Sequence, residues 1–155
     1  MEGQLVLRSA TYADQPAIRA LVFSVLESYG LKPSPHDTDA DLEDLQHHYF
    51  SCGGDFAVLR DGGRVIGTVA LANQGAGNCE LRKMYLDPAY RGRGLGKQLM
   101  EHALQRAKEL GFGRMTLETA TVLKEAVKLY EQYGFRPYQP NHLAARCDLA
   151  MERTL

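Results

Sequence analysis

Apolar residues recur along this chain with two different periods. Over residues 13–30, ADQPAIRALVFSVLESYG, Ile18, Leu21, Val22 and Val25 fall at helical spacing until Gly30 stops the pattern. Over residues 95–111, Leu95, Leu99, Ala103, Leu104, Ala107 and Leu110 hold one helical face, and Arg106 and Lys108 suit the negative end of its dipole. Between them lie short runs of strand character: QLVLR at 4–8, FAVLR at 56–60, RVIGTVALA at 64–72, CELRKMYL at 79–86 and RMTLET at 114–119. The DGG between the second and third of these is a hairpin signal, and Asp87-Pro88 stops the fourth. KEAVKLYEQY at 124–133 reads as a helix closed by Gly134, and FRPY and RCDLAME as two final strands. After the two-proline loop LKPSPHD, Thr38 with Asp41 three residues later makes a capping-box pattern, which predicts a second helix over 38–50, TDADLEDLQHHYF. The order is then β α α β β β α β α β β. Strands and helices interleave in the second half, which predicts an α/β layer with at least one parallel strand pair bridged by the Leu95 helix.

Composition narrows the class. A chain of 155 residues, 45% apolar, can bury one core, so a single domain over 1–155 is expected. The formal net charge of -1 provides no global field for a nucleic acid or an anionic membrane, so any anion is bound locally. Cys52, Cys79 and Cys147 are odd in number and contain no C-x-x-C pair, which fits a reducing cytoplasm rather than a disulfide framework or a zinc knot. The N-terminus lacks the apolar run of a signal peptide, and no stretch reaches the ~18 apolar residues of a membrane span, so a soluble, unprocessed protein is expected.

One loop carries the chemistry. Residues 91–97, RGRGLGK, pack three glycines and three cations immediately before a helix, a geometry in which outward N–H groups and the helix dipole favour an anion. A Walker A loop fails on spacing, because Arg91 stands where its first glycine belongs and Gln98 where its hydroxyl belongs. A dinucleotide fingerprint also fails, since Lys97 takes the third glycine position, although Glu118 lies at about the spacing of a ribose-binding acid.

The loop does match R-x-x-G-x-G, as Arg91-Gly92-Arg93-Gly94-Leu95-Gly96. With MYLDPAYRGRGLG before the helix and AVKLYEQYGF later, the sequence resembles the GNAT superfamily of N-acetyltransferases, strongly over residues 79–135 and loosely elsewhere. The resemblance implies an α/β (α+β) domain with a central mixed, mostly antiparallel sheet and helices on both faces. It implies that the anion is the pyrophosphate of acetyl-CoA, cradled by backbone N–H groups over Gly92, Arg93, Gly94, Leu95, Gly96 and Lys97, with Arg91, Arg93 and Lys97 adding charge. By position, Met84, Tyr85 and Leu86 form the free strand edge along which the pantetheine arm pairs.

Acetyl transfer to an amine requires an unprotonated nitrogen, a polarised carbonyl and a proton for the departing thiolate. Tyr130 matches the family tyrosine that acts as general acid, and a phenol of ordinary pKa near 10 is protonated at neutral pH. Its stripe with Ala126, Leu129 and Tyr133 is equally a packing pattern. Glu118 and Glu80 match positions where family members place a base, Glu118 slightly ahead. The oxyanion donor is expected to be a backbone N–H near Tyr85 or Leu86. Many members carry an asparagine seven residues before the tyrosine, and here that position is Leu123.

The resemblance implies a small-molecule or peptidyl amine as acceptor. Asp37, Asp39, Asp41, Glu43 and Asp44 cluster in the acceptor region, and such an acidic rim would attract a polyamine, a lysine side chain or an aminoglycoside, although acids also suit any helix start. Arg146 and Asp148 are expected to share one face of the last strand. His36, His47, His48 and His142 lack the spacing of a metal site, and Cys147 near His142 reads as structural because direct transfer needs no nucleophile. A homodimer is compatible with the family. Two other classes remain open, a non-catalytic acyl-CoA-binding regulator and a small NAD(P)-dependent reductase.

Overall fold

A computed structural model describes residues 4–144 and 146–155. Among the described residues, seven strands form one sheet in the order β1-β2-β3-β4-β5-β7-β6. They are β1 Leu5–Ser9, β2 Asp55–Asp61, β3 Arg64–Gly75, β4 Asn78–Leu86, β5 Arg114–Thr119, β6 Arg136–Pro137 and β7 Leu149–Thr154. Only β4 and β5 run parallel, and α3, Leu95–Glu109, makes the crossover between them. The mixed, mostly antiparallel sheet expected of the fold is therefore present.

Side chains alternate across the sheet and divide the core in two. From β2, Ala57 and Leu59 face α3 and α4, Lys124–Gln132, while Phe56 and Val58 face α1, Gln15–Ser28. Helices thus cover both faces, which explains why β2 and β3 read as nearly unbroken apolar runs. Leu95, Leu99, Ala103 and Ala107 of α3 are buried as their spacing predicts. No helix among the described residues is long and apolar enough to cross a membrane.

Three expectations need correction. The single helix over 38–50 is instead a chain of short turns: a 3-10 turn Ala40–Glu43, the one-turn helix α2 Leu45–His48, and a second 3-10 turn Phe50–Cys52. Thr38 caps nothing there; Asp44 accepts the His47 N–H at 3.0 Å and is the true cap. A helix would set Asp39 and Asp41 about 200° apart on nearly opposite faces, whereas both side chains turn inward to buried partners. The reciprocal capping arrangement occurs earlier, where Asp14 accepts from the Thr11 N–H and hydroxyl at the start of a turn leading into α1. Near the C-terminus, β6 shrinks to two residues and β7 begins at Leu149, so Arg146 and Asp148 lie in a loop and do not share a strand face. Asp148 is used there to accept the Thr121 N–H at 2.8 Å and the Thr121 hydroxyl at 2.7 Å.

Candidate active site

β4 pairs with β5 only through residues 78–81 against 114–117. Beyond Leu81 the two strands part. A bulge on β4 sets Lys83 and Met84 against Val69 alone, with Lys83 in the left-handed region at φ 51°. Glu118 and Thr119 continue to pair with β7, so Met84, Tyr85 and Leu86 face a gap with no partner on the β5 side.

The chain then turns through a 3-10 segment, Pro88–Tyr90, capped by Asp87 accepting the Ala89 N–H at 2.9 Å. Gly92 at φ 80° and Gly94 at φ 75° supply conformations that L side chains avoid, and Gly94 is the N-cap of α3. The first intrahelical bond is Gln98 N–H to Gly94 carbonyl, 3.2 Å. The N–H groups of Leu95, Gly96 and Lys97 precede it and have no acceptor within the helix. They face a groove of about 620 Å³ walled by residues 84–86, the loop, Tyr29 of α1 and Leu129 of α4. The Arg91 guanidinium lies 4.9 Å from the Tyr29 ring centre and Arg93 lies 5.0 Å from that of Tyr90, so both loop arginines rest on aromatic faces.

A second cavity of about 640 Å³ opens on the other side of the same edge. Met84, Tyr85 and Leu123 belong to the walls of both. Leu123, the residue before α4, supplies an apolar partition and no side-chain cap. The second cavity brings together Tyr130, Glu118 and Glu80. Tyr130 is buried against Phe135, ring centres 6.0 Å apart, and burial raises its phenol well above the ordinary value. Burial likewise pushes Tyr85 up to about 12, with the Arg146 cation opposing the rise, and Cys147 up to about 11. All three are therefore protonated at neutral pH. Glu118 accepts the Ala144 N–H at 2.7 Å and steadies the loop across the cavity, whereas Glu80 is paired with Arg82 two residues along β4.

The remaining wall was not foreseen. Asp39, with a fully buried side chain, accepts two bonds from Arg146 at 2.7 Å each, one from the Lys83 ammonium at 2.8 Å and one from the Ser34 N–H at 2.8 Å. Burial alone would raise its carboxyl; Arg146 and Lys83 outweigh that and hold it well below the carboxylate range. Lys83 also bonds the Thr38 carbonyl at 3.0 Å and lies 3.4 Å from Asp41, which in turn accepts from the Tyr49 hydroxyl. The acidic rim expected to attract a polycation is thus corrected in part: Asp39 and Asp41 are buried and engaged by cations of the same protein, whereas Asp37, Glu43 and Asp44 are exposed and Asp37 lines the cavity. A sequence signal for this existed in Arg82-Lys83, because two consecutive cations in a strand covered on both faces cannot both reach solvent.

The GNAT family description of acetyltransferases matches residues 20–135. An uncharacterized N-acetyltransferase of Escherichia coli K12, YjgM, is 41% identical over 135 residues, covering 84% of this chain and 81% of its own. Among solved structures, a GNAT-family acetyltransferase of Staphylococcus aureus Mu50 superposes with TM-score 0.91 at 21% identity, covering 97% of this chain and 99% of its own. A GNAT phosphinothricin acetyltransferase of Sinorhizobium meliloti, solved in complex with AcCoA, superposes with TM-score 0.76 at 23% identity, covering 97% and 88%.

Proposed function

The chain belongs to the GNAT acetyltransferase family and is an acetyl-CoA-dependent acyltransferase; on that premise we propose that residues 1–155 act as one domain that moves the acetyl group directly onto a primary amine. The carrying observation is the shared wall of the two cavities. A thioester lying along Met84, Tyr85 and Leu86 would present its carbonyl where the groove meets the cavity holding Tyr130 and Glu118.

The groove fits the co-substrate chemically. Three N–H groups with no acceptor within the 15-residue helix they start, beside Arg91 and Lys97 of the groove wall and Arg93 of the same loop, suit a pyrophosphate. A side chain at Gly92 or Gly94 would meet no protein atom within 4 Å, so the backbone there stands open to a ligand. The unpaired edge of β4 suits the amides of a pantetheine arm. A related acetyltransferase of the same fold, solved with AcCoA, supports the assignment.

In the reaction the amine nitrogen forms a bond to the carbonyl carbon as the carbon–sulfur bond breaks. An ammonium acceptor gives up two protons, one before attack and one after; one ends on the thiolate sulfur and the other reaches solvent. Glu118, through its oxygen not held by Ala144, is the proposed base, with Glu80 the second candidate because Arg82 occupies it. Tyr130 is the proposed acid towards sulfur, and a backbone N–H at Tyr85 or Leu86 the oxyanion donor.

The test is thermal denaturation with acetyl-CoA, CoA and NAD(P)H side by side, followed by thiol release with a panel of amines. Saturable stabilisation by acetyl-CoA is expected, because a ligand that binds only the folded chain raises its apparent stability. Stabilisation by NAD(P)H alone would overturn the reading.

A further inference from the structure

We propose that the acceptor is a zwitterion, an α-amino acid or a conjugate that keeps its α-amino and α-carboxylate groups, and that Arg146 receives the carboxylate. The inference rests on the acetyltransferase reading above and specifies its acceptor.

The argument begins with charge. Lys83 and Arg146 offset Asp39 and Asp41, and Arg82 offsets Glu80. Removing these pairs leaves two carboxylates in the cavity wall, the exposed Asp37 and, beside the reaction centre, Glu118, one oxygen of which holds the Ala144 N–H. They can take an ammonium, while Arg146 on the opposite wall keeps guanidinium N–H groups that a second positive group could not use. A polyamine or a lysine side chain would leave those N–H groups without an acceptor. A group with positive and negative ends fits both walls.

Donor counting then selects the anchor. The Lys83 ammonium spends two of its three hydrogens on the Thr38 carbonyl and Asp39 and lies 3.4 Å from Asp41, and its single remaining donor cannot make a two-pronged contact. Arg82 spends Nε on Glu80 and its guanidinium lies beside the Tyr49 hydroxyl. Arg146 has five donors, of which Asp39 takes one from each Nη and the neighbouring Tyr85 hydroxyl can take one more. At least two N–H groups remain, enough for a second two-pronged carboxylate contact. Arg146 also has the right position, because it lines the acceptor cavity beside Cys147 and next to Tyr85, the wall shared with the cofactor groove. The amine nitrogen and the carboxylate carbon of an α-amino acid are bonded to the same carbon, so the anchor must sit near the reacting nitrogen. Asp39 holds the guanidinium in place before the acceptor arrives, which lowers the ordering cost of binding.

The experiment compares matched pairs: glutamate with 4-aminobutyrate, phenylalanine with phenethylamine, lysine with cadaverine, and each amino acid with its α-carboxamide. Thiol release gives kcat/KM, and calorimetry in the presence of CoA gives binding without turnover. At least one amino acid should exceed its decarboxylated and amide partners by about 10- to 100-fold, the range of charge-assisted hydrogen bonds. In Arg146→Lys, which keeps a cation for Asp39 but loses the fork, the preference should fall towards unity through KM. Arg146→Gln should do the same if it folds. Equal or better use of the decarboxylated amines, or an undiminished preference in Arg146→Lys, overturns the proposal. Amino acids that neither bind nor react, while acetyl-CoA still stabilises the protein, overturn it and leave the acetyltransferase reading standing. Absence of acetyl-CoA stabilisation overturns that underlying reading.

Discussion

Replacing Asp39 by alanine isolates the energetic role of the buried network. The change removes four hydrogen bonds at once and leaves Arg146 and Lys83 facing each other's charge in a wall where the Lys83 side chain is 5% exposed. Among the described residues, Asp41 at 3.4 Å is then the one carboxylate left to Lys83, beside the Thr38 carbonyl at 3.0 Å. Breaking a buried ion pair by removing one partner costs about 3–5 kcal/mol, since the orphaned charge keeps its desolvation penalty. Unfolding entropy for 155 residues converts this into a fall in Tm of about 9–15 °C. Far-ultraviolet circular dichroism during heating and urea titration at pH 7 reads the loss. The isosteric Asp39→Asn variant adds a pH test. The Asp39 carboxyl lies below its ordinary value in the folded chain, so its contribution is complete above about pH 4 and is lost as pH falls through the folded pKa. The gap between wild type and Asp39→Asn should therefore narrow as pH falls below about 4. A loss under about 1 kcal/mol for Asp39→Ala, or a gap independent of pH, would refute the view that these cations depend on Asp39.

Three further outcomes follow from the site. Tyr130→Phe should lower kcat by about 10²-fold or more while leaving the acetyl-CoA dissociation constant near wild type, because a positioned general acid contributes 10²–10⁴ and the hydroxyl does not line the cofactor groove. Steady-state kinetics beside calorimetry separates the two. Gly94→Val should lose about 1–2 kcal/mol of stability from forcing a branched residue to φ 75°, and should also weaken acetyl-CoA binding at least 10-fold; urea titration and thermal shift measure each. Glu118→Gln should reduce kcat/KM more than Glu80→Gln, because Arg82 already occupies the Glu80 carboxylate; equal losses would point to a base elsewhere.

Features whose causes are local were legible in the sequence. The α3 helix, the β2–β3 hairpin and the glycine loop each depend on residues within one turn or one hairpin, so periodicity and turn chemistry located them. The segment 38–50 was not legible, because its conformation is set from far away. Asp39 takes its bonds from Lys83, 44 positions along, and from Arg146, 107 positions along, and these outweigh the capping pattern that starts at Thr38. The same distances explain why Asp39 and Asp41 drop out of the expected acidic rim. Five carboxylates in eight residues are anionic on paper, yet which of them meet solvent depends on partners that no local pattern shows.

The β4 bulge connects these two kinds of information. Lys83 at φ 51° is a strained position for a residue with a side chain, at about 1–2 kcal/mol relative to glycine. A glycine there would relieve the backbone but remove the ammonium that holds Asp39, Asp41 and the Thr38 carbonyl. The strain is offset because one bulge does two things. It comes immediately after the last β4–β5 pair, where the strands part to open the edge at Met84, Tyr85 and Leu86, and it turns the Lys83 side chain into the acceptor wall. Lys83→Gly should therefore be net destabilising, by the buried-pair loss less the strain relieved, about 1–4 kcal/mol. Lys83→Met keeps a long side chain, the strain and the strand opening but removes the charge, and should lose more stability than Lys83→Gly while retaining acetyl-CoA binding. If Lys83→Gly is instead more stable than wild type, the bulge is held by the strand pairing alone and Lys83 contributes nothing to the wall.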